Sequence, residues 1–230
     1  MEKDKSILQG EKVAVGYHKG KDIHWVARDL SFSLRAGQLV CLLGPNGVGK
    51  STLIKAIMGQ KLPMKGQISY KGEPLRQLSS QEMAKKVSVV LTDRISPGNL
   101  TVRQLVALGR IPFTNWLGGM SEEDESVIEA AIHATKIDYL EHKKVAELSD
   151  GQLQKTMIAR ALAQDGELMI LDEPTAHLDL INRMEIMLLL RQIAHTRNKA
   201  ILVVTHDLTL AAQMDRALTL SEGRLVRTEL

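Results

Sequence analysis

Residues 44–51 of the chain read Gly-Pro-Asn-Gly-Val-Gly-Lys-Ser, and this stretch decides the fold. It matches the pattern G-x-x-x-x-G-K-[ST] at every fixed position. The apolar run Leu39–Leu43 comes directly before it and is typical of a buried strand, and a helix is predicted from about Lys50 to Met58. With glycine near 7% of residues, the fixed positions match by chance in roughly one chain per hundred. The stretch therefore predicts a loop that binds the phosphates of a nucleotide.

Each part of this loop has a physical reason. Its glycines let the backbone curl so that successive N–H groups point inward, and the helix N-terminus adds partial positive charge. Lys50 supplies a cation for the β- and γ-phosphates, Ser51 supplies a hydroxyl for Mg²⁺, and Thr52 is placed to reach another phosphate. The predicted ATP-binding residues of the loop are Gly44, Asn46, Gly47, Gly49, Lys50, Ser51 and Thr52.

Two carboxylates, Asp172 and Glu173, follow the apolar residues 168–171. Ligands of an open parallel sheet bind at the carboxyl ends of its strands, so Asp172 is predicted to hold Mg²⁺. Glu173 is then placed to orient or deprotonate an attacking water. Taken alone, the pair reads equally well as two solvated acids at a strand end. The phosphate loop in the same chain favours the catalytic interpretation.

The composition excludes several other functions. The 230 residues are 44% hydrophobic, 25% charged and 3% aromatic, with a net charge of +3. This charge is too small to argue for nucleic acid, and so few aromatics do not make a stacking platform for single strands. The single cysteine, Cys41, cannot form an internal disulfide and is predicted to be a small buried strand residue. No apolar stretch reaches the roughly 18 residues of a membrane span, and no secretion signal is expected.

Strand and helix patterns divide the chain into three stretches. Alternating strands and helices in residues 1–91 and 166–230 predict an α/β fold with a doubly wound, mostly parallel sheet. Within these stretches, strand segments are predicted at residues 7–8, 13–15 and 30–34, and a helix is predicted at residues 184–193. Residues 92–165 are mostly helical and are predicted to be a subdomain inserted into that sheet. Capping patterns at Thr101, Ser121 and Ser149 mark three of its helices. Residues 1–230 are predicted to form a single ATPase domain.

Several further motifs resemble those of the ABC ATPases. Residues 148–152, Leu-Ser-Asp-Gly-Gln, resemble the LSGGQ signature, with Asp150 in place of a glycine. Residues 174–179 resemble the D-loop, residues 205–207 resemble the switch-histidine segment, and Tyr17 resembles the aromatic that stacks on adenine. The resemblance covers essentially the whole chain. It implies a P-loop NTPase core, an N-terminal antiparallel β subdomain and the inserted helical subdomain.

The resemblance also implies a mechanism that spacing alone does not show. In this family two copies pack head to tail, and the signature of one closes over the ATP held by the other. Glu173 would act as the base or position the water, and His206 would touch the γ-phosphate, with Lys50 as the third catalytic residue. The residues assigned to ATP through the signature and D-loop are Ser149, Gly151, Gln152 and Asp179. A purely structural histidine, and a helix-capping role for Asp207, are the alternatives.

Two positions depart from the family pattern. The family has a glutamine at the start of the helical insertion, and Thr92 stands there instead. We assign Thr92 to the metal together with Ser51 and Asp172, because its hydroxyl can reach a water on Mg²⁺. Asp150 adds a negative charge beside the γ-phosphate position. We expect its side chain to point away from the nucleotide or to pair with a cation.

Residues 101–112 resemble importers of iron chelates, haem and cobalamin, and contact with membrane subunits is expected around Gly109 and Arg110. The resemblance therefore implies a homodimer with ATP and Mg²⁺ as cofactors. Its expected partners are transmembrane permease subunits and, through them, a substrate-binding protein, and its place is the cytoplasmic face of the cell membrane. No nucleic acid partner is expected. The alternatives are an exporter subunit, an ABC ATPase acting on DNA or ribosomes, and a module that binds ATP without hydrolysing it.

Overall fold

The computed structural model describes residues 6–20, 22–91, 98–114 and 119–228. Within these ranges, ten strands lie in two sheets. In chain order they are β1 (Ser6–Lys19), β2 (Asp22–Arg35), β3 (Leu39–Leu43), β4 (Lys65–Tyr70), β5 (Glu73–Pro74), β6 (Val87–Val90), β7 (Leu168–Asp172), β8 (Ala200–Thr205), β9 (Arg216–Ser221) and β10 (Arg224–Thr228).

Six α-helices accompany the strands in this part of the chain. They are α1 (Lys50–Ile57), α2 (Ser80–Lys86), α3 (Val102–Ala107), α4 (Glu122–Ala134), α5 (Asp150–Ala163) and α6 (Leu180–Thr196). Short 3₁₀ turns cover Leu75–Gln77, Leu108–Phe113, Asp138–Leu140, Val145–Glu147 and Leu208–Gln213. None of the described helices combines the length and the apolar character needed to cross a membrane.

The larger sheet has the order β10-β9-β3-β8-β7-β6 and is parallel except at β10. Alternate residues of its central strands enter two different apolar clusters. Cys41 and Leu171, for example, lie in one cluster, whereas Leu42 and Ile170 lie in the other. A strand that is covered on both faces needs a continuous apolar run. These strands could therefore be predicted from the sequence. The predicted mostly parallel, doubly wound α/β fold is confirmed.

Cys41 lies at the centre of this sheet on β3. Its side chain is fully buried, and burial raises the pKa of its thiol to about 12. The predicted buried strand cysteine is confirmed. Its thiol stays protonated and inert at neutral pH.

The smaller sheet is antiparallel and has the order β2-β1-β4-β5. It corresponds to the N-terminal antiparallel β subdomain that the resemblance implies. The sequence indicated short strands at residues 7–8, 13–15 and 30–34, whereas β1 and β2 each run for 14 residues. Residues 22–25 of β2 are exposed or half-buried, so no apolar alternation marks them. Register shifts interrupt β1 as well, which hides its period of two residues.

The helical stretch packs α3, α4 and α5 together, and its apolar side chains join the cluster on one face of the large sheet. Thr101, Ser121 and Ser149 cap these helices with reciprocal capping boxes, as predicted. Helix α2 was not predicted, because it is short and buries only Met83. Helix α6 extends beyond the predicted residues 184–193, since its first and last turns are largely exposed.

Candidate nucleotide-binding site

A cleft of about 450 Å³ opens at the carboxyl ends of the parallel strands. It brings the predicted loop residues together with the acidic pair and the predicted adenine aromatic. Its walls are Tyr17, His24, Trp25, Val26, Asn46, Gly47, Gly49, Lys50, Ser51, Thr52, Asp172 and Glu173. Polar groups from β1, β2, β7 and the loop before α1 therefore converge on one volume.

The loop before α1 has a backbone that only glycine fits comfortably. Gly49 has φ +110°, and a Cβ there would lie 2.2 Å from Cγ1 of Val26. Gly44 has φ +157°, and a Cβ there would lie 2.6 Å from the carbonyl oxygen of Leu220. The two glycines thus let the loop sit tightly against β2 and β9. This close packing holds the N-terminus of α1 toward the cleft.

Lys50 begins α1, and its ammonium is folded into the loop. Its Nζ donates to the carbonyl oxygens of Gly44 at 2.6 Å and Pro45 at 3.2 Å, and the residue is 7% exposed. An ammonium has three donors, so two hold the loop closed and one remains for an anion in the cleft. The loop is therefore shaped around a fixed positive charge.

Glu173 occupies a constrained position just after β7. Its backbone has φ +47°, an uncommon conformation for this residue, and its N–H donates to the carbonyl of Val204 at 2.8 Å. Its Oε1 lies 2.8 Å from Nδ1 of His206, and its Oε2 accepts from the Thr205 hydroxyl at 3.0 Å. The carboxylate is thus held between two side chains of the neighbouring strand end, while its remaining lone pairs can accept from water.

Thr205 contacts Glu173, and this contact was not predicted from the sequence. Thr205 was read only as part of the switch-histidine segment. Its fully buried hydroxyl donates to Glu173 and accepts from the backbone N–H of Asp207 at 3.1 Å. The sequence signal that could have indicated this contact is a threonine at the end of an apolar strand, next to His206.

Asp207 has a structural role in this arrangement. Hydrogen bonds from Thr209, its hydroxyl first, lower the pKa of the Asp207 carboxyl below its usual range. Asp207 also lies 3.5 Å from the guanidinium of Arg183 on α6. The alternative in which Asp207 serves as a cap of the following turn agrees with this geometry.

The signature residues lie outside the walls of the cleft. Ser149 and Gln152 form the capping box of α5: the Gln152 N–H donates to the Ser149 hydroxyl at 3.3 Å, and the Ser149 N–H donates to the Gln152 side chain at 3.1 Å. Gly151 lies against Asn182, where a Cβ would meet Oδ1 at 2.6 Å. The N-termini of α5 and α6 are therefore neighbours.

Asp179 caps α6 and is hydrogen-bonded to Asn182, the residue that lies against Gly151. It accepts from the backbone N–H of Asn182 at 2.8 Å and from its amide at 2.9 Å, and these bonds lower the pKa of Asp179. Among the described residues, then, the predicted ATP-binding residues fall into two groups. The loop, Tyr17 and the acidic pair share the cleft, whereas Ser149, Gly151, Gln152 and Asp179 form a second surface.

Residues 27–176 match the ABC transporter family by sequence. This chain belongs to that family. It is an ATPase cassette of the family, as the ordered motifs predicted. An uncharacterized ABC transporter ATP-binding protein of Methanocaldococcus jannaschii is 40% identical over 220 residues, which cover 96% of this chain and 74% of that protein.

Two further similarities bear on the site. The iron(3+)-hydroxamate import ATP-binding protein FhuC of Bacillus subtilis is 34% identical and covers 96% of this chain and 81% of its own length. A dimeric ATP-binding cassette in a post-hydrolysis state, bound to ADP and Pi, superimposes with a TM-score of 0.79. It is 28% identical, and the match covers 96% of this chain and 97% of that one. ABC ATPase cassettes thus form dimers.

Two oxygen-bearing side chains that line the ABC cleft fit Mg²⁺. Ser51 supplies a hydroxyl and Asp172 supplies a carboxylate. Mg²⁺ prefers oxygen ligands and keeps several waters when it is bound with nucleotide phosphates, so two protein oxygens are sufficient. The third predicted metal residue, Thr92, lies outside the described residues.

Asp150 occupies the first turn of α5 and is exposed. A carboxylate at a helix N-terminus is favoured by the helix dipole. This explains physically why an acid is tolerated where the ABC signature has a glycine.

Gly109 and Arg110, around which contact with membrane subunits is expected, are themselves buried, and the contact itself stays a prediction. Arg110 is 5% exposed, and its guanidinium donates to Asp124 at 2.8 Å and to the Ala163 carbonyl at 2.9 Å. A Cβ at Gly109 would lie 2.3 Å from the Arg160 carbonyl. Both residues hold the helices together from inside, whereas the exposed apolar side chains of the turn Leu108–Phe113 are those of Leu108, Ile111 and Phe113.

Proposed function

We propose that this ABC cassette hydrolyses Mg-ATP between two copies of itself and powers a membrane importer of an iron chelate, haem or cobalamin. The observation that carries the proposal is the division of the site. The cleft holds the loop and a doubly anchored Glu173, while the signature residues lie on a second surface outside it. A second copy placed head to tail would bring its signature over the cleft of the first.

Each cleft residue then has a defined task. The loop N–H groups and the ammonium of Lys50 bind the phosphates, and the Tyr17 ring, which is 46% exposed, faces the base. Glu173 accepts a hydrogen bond from the attacking water, with Thr205 and His206 fixing its two oxygens. The catalysis consists of positioning and of placing positive charge where negative charge develops.

Ser51 and Asp172 would hold Mg²⁺, which supplies charge neutralisation at the phosphates when it is bound. Thr92 is proposed as an additional contact through a water. From the second copy, the Ser149 hydroxyl and the Gly151 N–H would reach the γ-phosphate, with Gln152 and Asp179 beside them. Ser149 is exposed, so it is accessible to a partner.

The importer class rests on relatives. FhuC is named as an iron(3+)-hydroxamate import protein, and its match spans nearly this whole chain. By this relationship we propose that the cassette docks on permease subunits at the cytoplasmic face of the membrane, and through them acts with a substrate-binding protein.

The decisive experiment uses the Glu173→Gln variant. Phosphate release should fall by about 10²–10⁴-fold, because a general base of this kind contributes that factor. The variant should bind ATP and shift from monomer to dimer mass in light scattering only when ATP is added. Glu185→Gln, an exposed glutamate on α6, is the matched control and should behave as wild type.

Two results would contradict this assignment. Unchanged phosphate release in Glu173→Gln would support a module that binds ATP without using this carboxylate. A monomer mass despite bound ATP would contradict the shared site for the isolated cassette. The importer assignment is tested separately, by uptake of a radiolabelled ferric hydroxamate into vesicles that carry the permease and this cassette. Export of the chelate in the same assay would overturn it.

A further inference from the structure

Arg183, near the start of α6, contacts two separate segments of the chain. Its Nε donates to the carbonyl oxygen of Leu178 at 2.8 Å, and its Nη1 lies 3.5 Å from Oδ2 of Asp207. A guanidinium presents its donors in a rigid planar fork, so one side chain can hold two partners in a fixed relative position. Arg183 therefore joins the D-loop segment 174–179 to the switch-histidine segment 205–207.

Both of these segments bear directly on Glu173. The D-loop segment follows Glu173 in the chain, and the Ala176 N–H donates back to the Glu173 carbonyl at 3.0 Å. In the other segment, the Asp207 N–H donates to the Thr205 hydroxyl at 3.1 Å, and that hydroxyl donates to the Glu173 carboxylate at 3.0 Å. The contacts of Arg183 thus reach the backbone that follows Glu173 and the backbone that anchors its side chain.

The charge of Arg183 acts on an acid in each segment. It adds to the hydrogen bonds from Asn182 that lower the pKa of Asp179, and to those from Thr209 that lower the pKa of Asp207. Arg183 itself does not line the cleft. Asp179 belongs to the signature surface, whereas Asp207 follows the residue that holds Glu173. Arg183 therefore links the two groups of predicted ATP-binding residues without touching the nucleotide cleft.

We propose that Arg183 is a positioning residue for ATP hydrolysis, which holds the carboxylate of Glu173 in register with the D-loop segment. This inference rests on the proposed function, in which Glu173 orients the attacking water and Asp179 faces the second copy. Contact of a second copy with the D-loop segment would then act on Glu173 through Arg183, Asp207 and Thr205. The competing explanation is that Arg183 only stabilises the first turns of α6.

The test separates turnover from ATP binding in Arg183→Met, which keeps an unbranched side chain but removes the charge and the donors. We expect kcat for phosphate release to fall roughly 10-fold, because a slightly displaced catalytic group has effects of this order. KM and the ATP affinity from calorimetry should stay within about twofold of wild type, since the lost contact serves only the transition state. In the Glu173→Gln background, Arg183→Met should still form the ATP-dependent dimer in light scattering.

Two further variants sharpen this test. Arg183→Lys keeps the charge beside Asp207 but loses the fork, so its kcat should lie between those of wild type and Arg183→Met. Arg191→Met is the matched control and should turn over as wild type. Arg191 lies later in α6, with its guanidinium 3.8 Å from the Asp215 carboxylate, and does not line the cleft.

A double-mutant cycle with Thr205→Val tests the route to Glu173. If Arg183 acts through Asp207 and Thr205, the two losses in kcat do not add, and the double variant should turn over about as fast as the slower single variant. Losses that multiply would show that Arg183 acts independently of Thr205, and would overturn the route proposed for it.

Three other outcomes would overturn the proposal. The first is a kcat of Arg183→Met within about twofold of wild type while Glu173→Gln is impaired, which leaves the proposed function standing. The second is an equal loss in Arg191→Met, which would assign the effect to the stability of α6. The third is a loss of ATP affinity or of the dimer that accounts for the lower turnover. Equal phosphate release by wild type and Glu173→Gln would instead overturn the proposed function, and this inference with it.

Discussion

The cleft and the signature surface use their polar groups in different ways. In the cleft, Lys50 and Glu173 are held by neighbouring groups yet keep donors or lone pairs for a ligand. On the signature surface, Ser149 and Asp179 are occupied as helix caps. One region is arranged for chemistry within the chain, and the other presents helix N-termini outward.

This difference suggests how a site can be divided between two copies. A capped helix end is a rigid anion-binding element that needs no further local partner. The cleft supplies the positive charge of Lys50 and the carboxylate of Glu173. Substitutions in the cleft should therefore change binding or turnover, whereas substitutions around α4 and α5 should change stability or the closure of the dimer.

The largest effect is expected for Lys50→Ala. The variant loses the phosphate cation and leaves the Gly44 and Pro45 carbonyls without their donor. Hydrogen bonds to charged groups contribute about 1.5–3 kcal/mol each, so the loss of the bond to phosphate should lower ATP affinity roughly 10- to 150-fold. Titration calorimetry measures this loss. Lys55→Ala, exposed on the same helix, should bind ATP normally. Equal affinities in the two variants would remove Lys50 from the site.

The next largest effect is expected for Asp124→Asn, in the helical stretch. The Ser121 N–H and then the Arg110 guanidinium lower the pKa of Asp124 to about 2. The substitution removes the negative charge beside the buried Arg110 but keeps an acceptor oxygen, so we expect it to cost about 2–3 kcal/mol of unfolding free energy at pH 7, as for a hydrogen bond to a charged group. Urea denaturation measures this cost. Turnover per folded molecule should not change, since Asp124 does not line the cleft.

The pH dependence of the stability of Asp124→Asn tests the ion pair between Asp124 and Arg110. A carboxyl whose pKa is lower in the folded protein stabilises it above the unfolded value of about 4, and this contribution is lost as the pH falls through about 2. The stability difference between wild type and Asp124→Asn should therefore be full at pH 6 and shrink between about pH 4 and 2. A difference that is independent of pH over this window would contradict the ion pair.

Thr205→Val should have an intermediate effect inside the cleft. Valine keeps the shape but removes the hydroxyl that donates to Glu173 and accepts from the Asp207 N–H. One lost anchor corresponds to about 1.4 kcal/mol, so phosphate release should fall about tenfold with ATP affinity unchanged. Thr196→Val, at an exposed position of α6, is the control. Reduced ATP affinity with normal turnover would show that Thr205 supports the cleft rather than Glu173.

Local sequence patterns were sufficient to predict most of the fold. The strand before residue 44 and the apolar residues 168–171 were predicted because both faces of these strands are buried. The capping boxes at Thr101 and Ser121 were predicted because their partners lie three residues away. Helix α2 and the exposed half of β2 were missed, since tertiary contacts rather than local periodicity define them.

Contacts between distant segments could not be read in this way. The bond from Thr205 to Glu173 joins residues on two parallel strands, and the pairing of Tyr17 with His24 depends on the register of a hairpin. The burial of Arg110 could not be predicted for the same reason. A charged residue is expected at the surface, and only the fold reveals that Asp124 and the end of α5 enclose it.

The smallest effect on stability is expected for two helix-cap variants, Ser149→Ala and Ser79→Ala. Comparing them tests whether the signature surface binds ATP or only stabilises its helix. Ser149 and Ser79 cap α5 and α2 with the same reciprocal box, and both are exposed. Ser149→Ala and Ser79→Ala should each cost about 1 kcal/mol of unfolding free energy, because an N-cap hydroxyl contributes that much. If Ser149 also binds ATP across the dimer, only Ser149→Ala, combined with Glu173→Gln, should lose the ATP-dependent dimer in light scattering. Equal dimerisation of the two would mean that the Ser149 hydroxyl serves α5 alone, and that a second copy contributes backbone N–H groups instead.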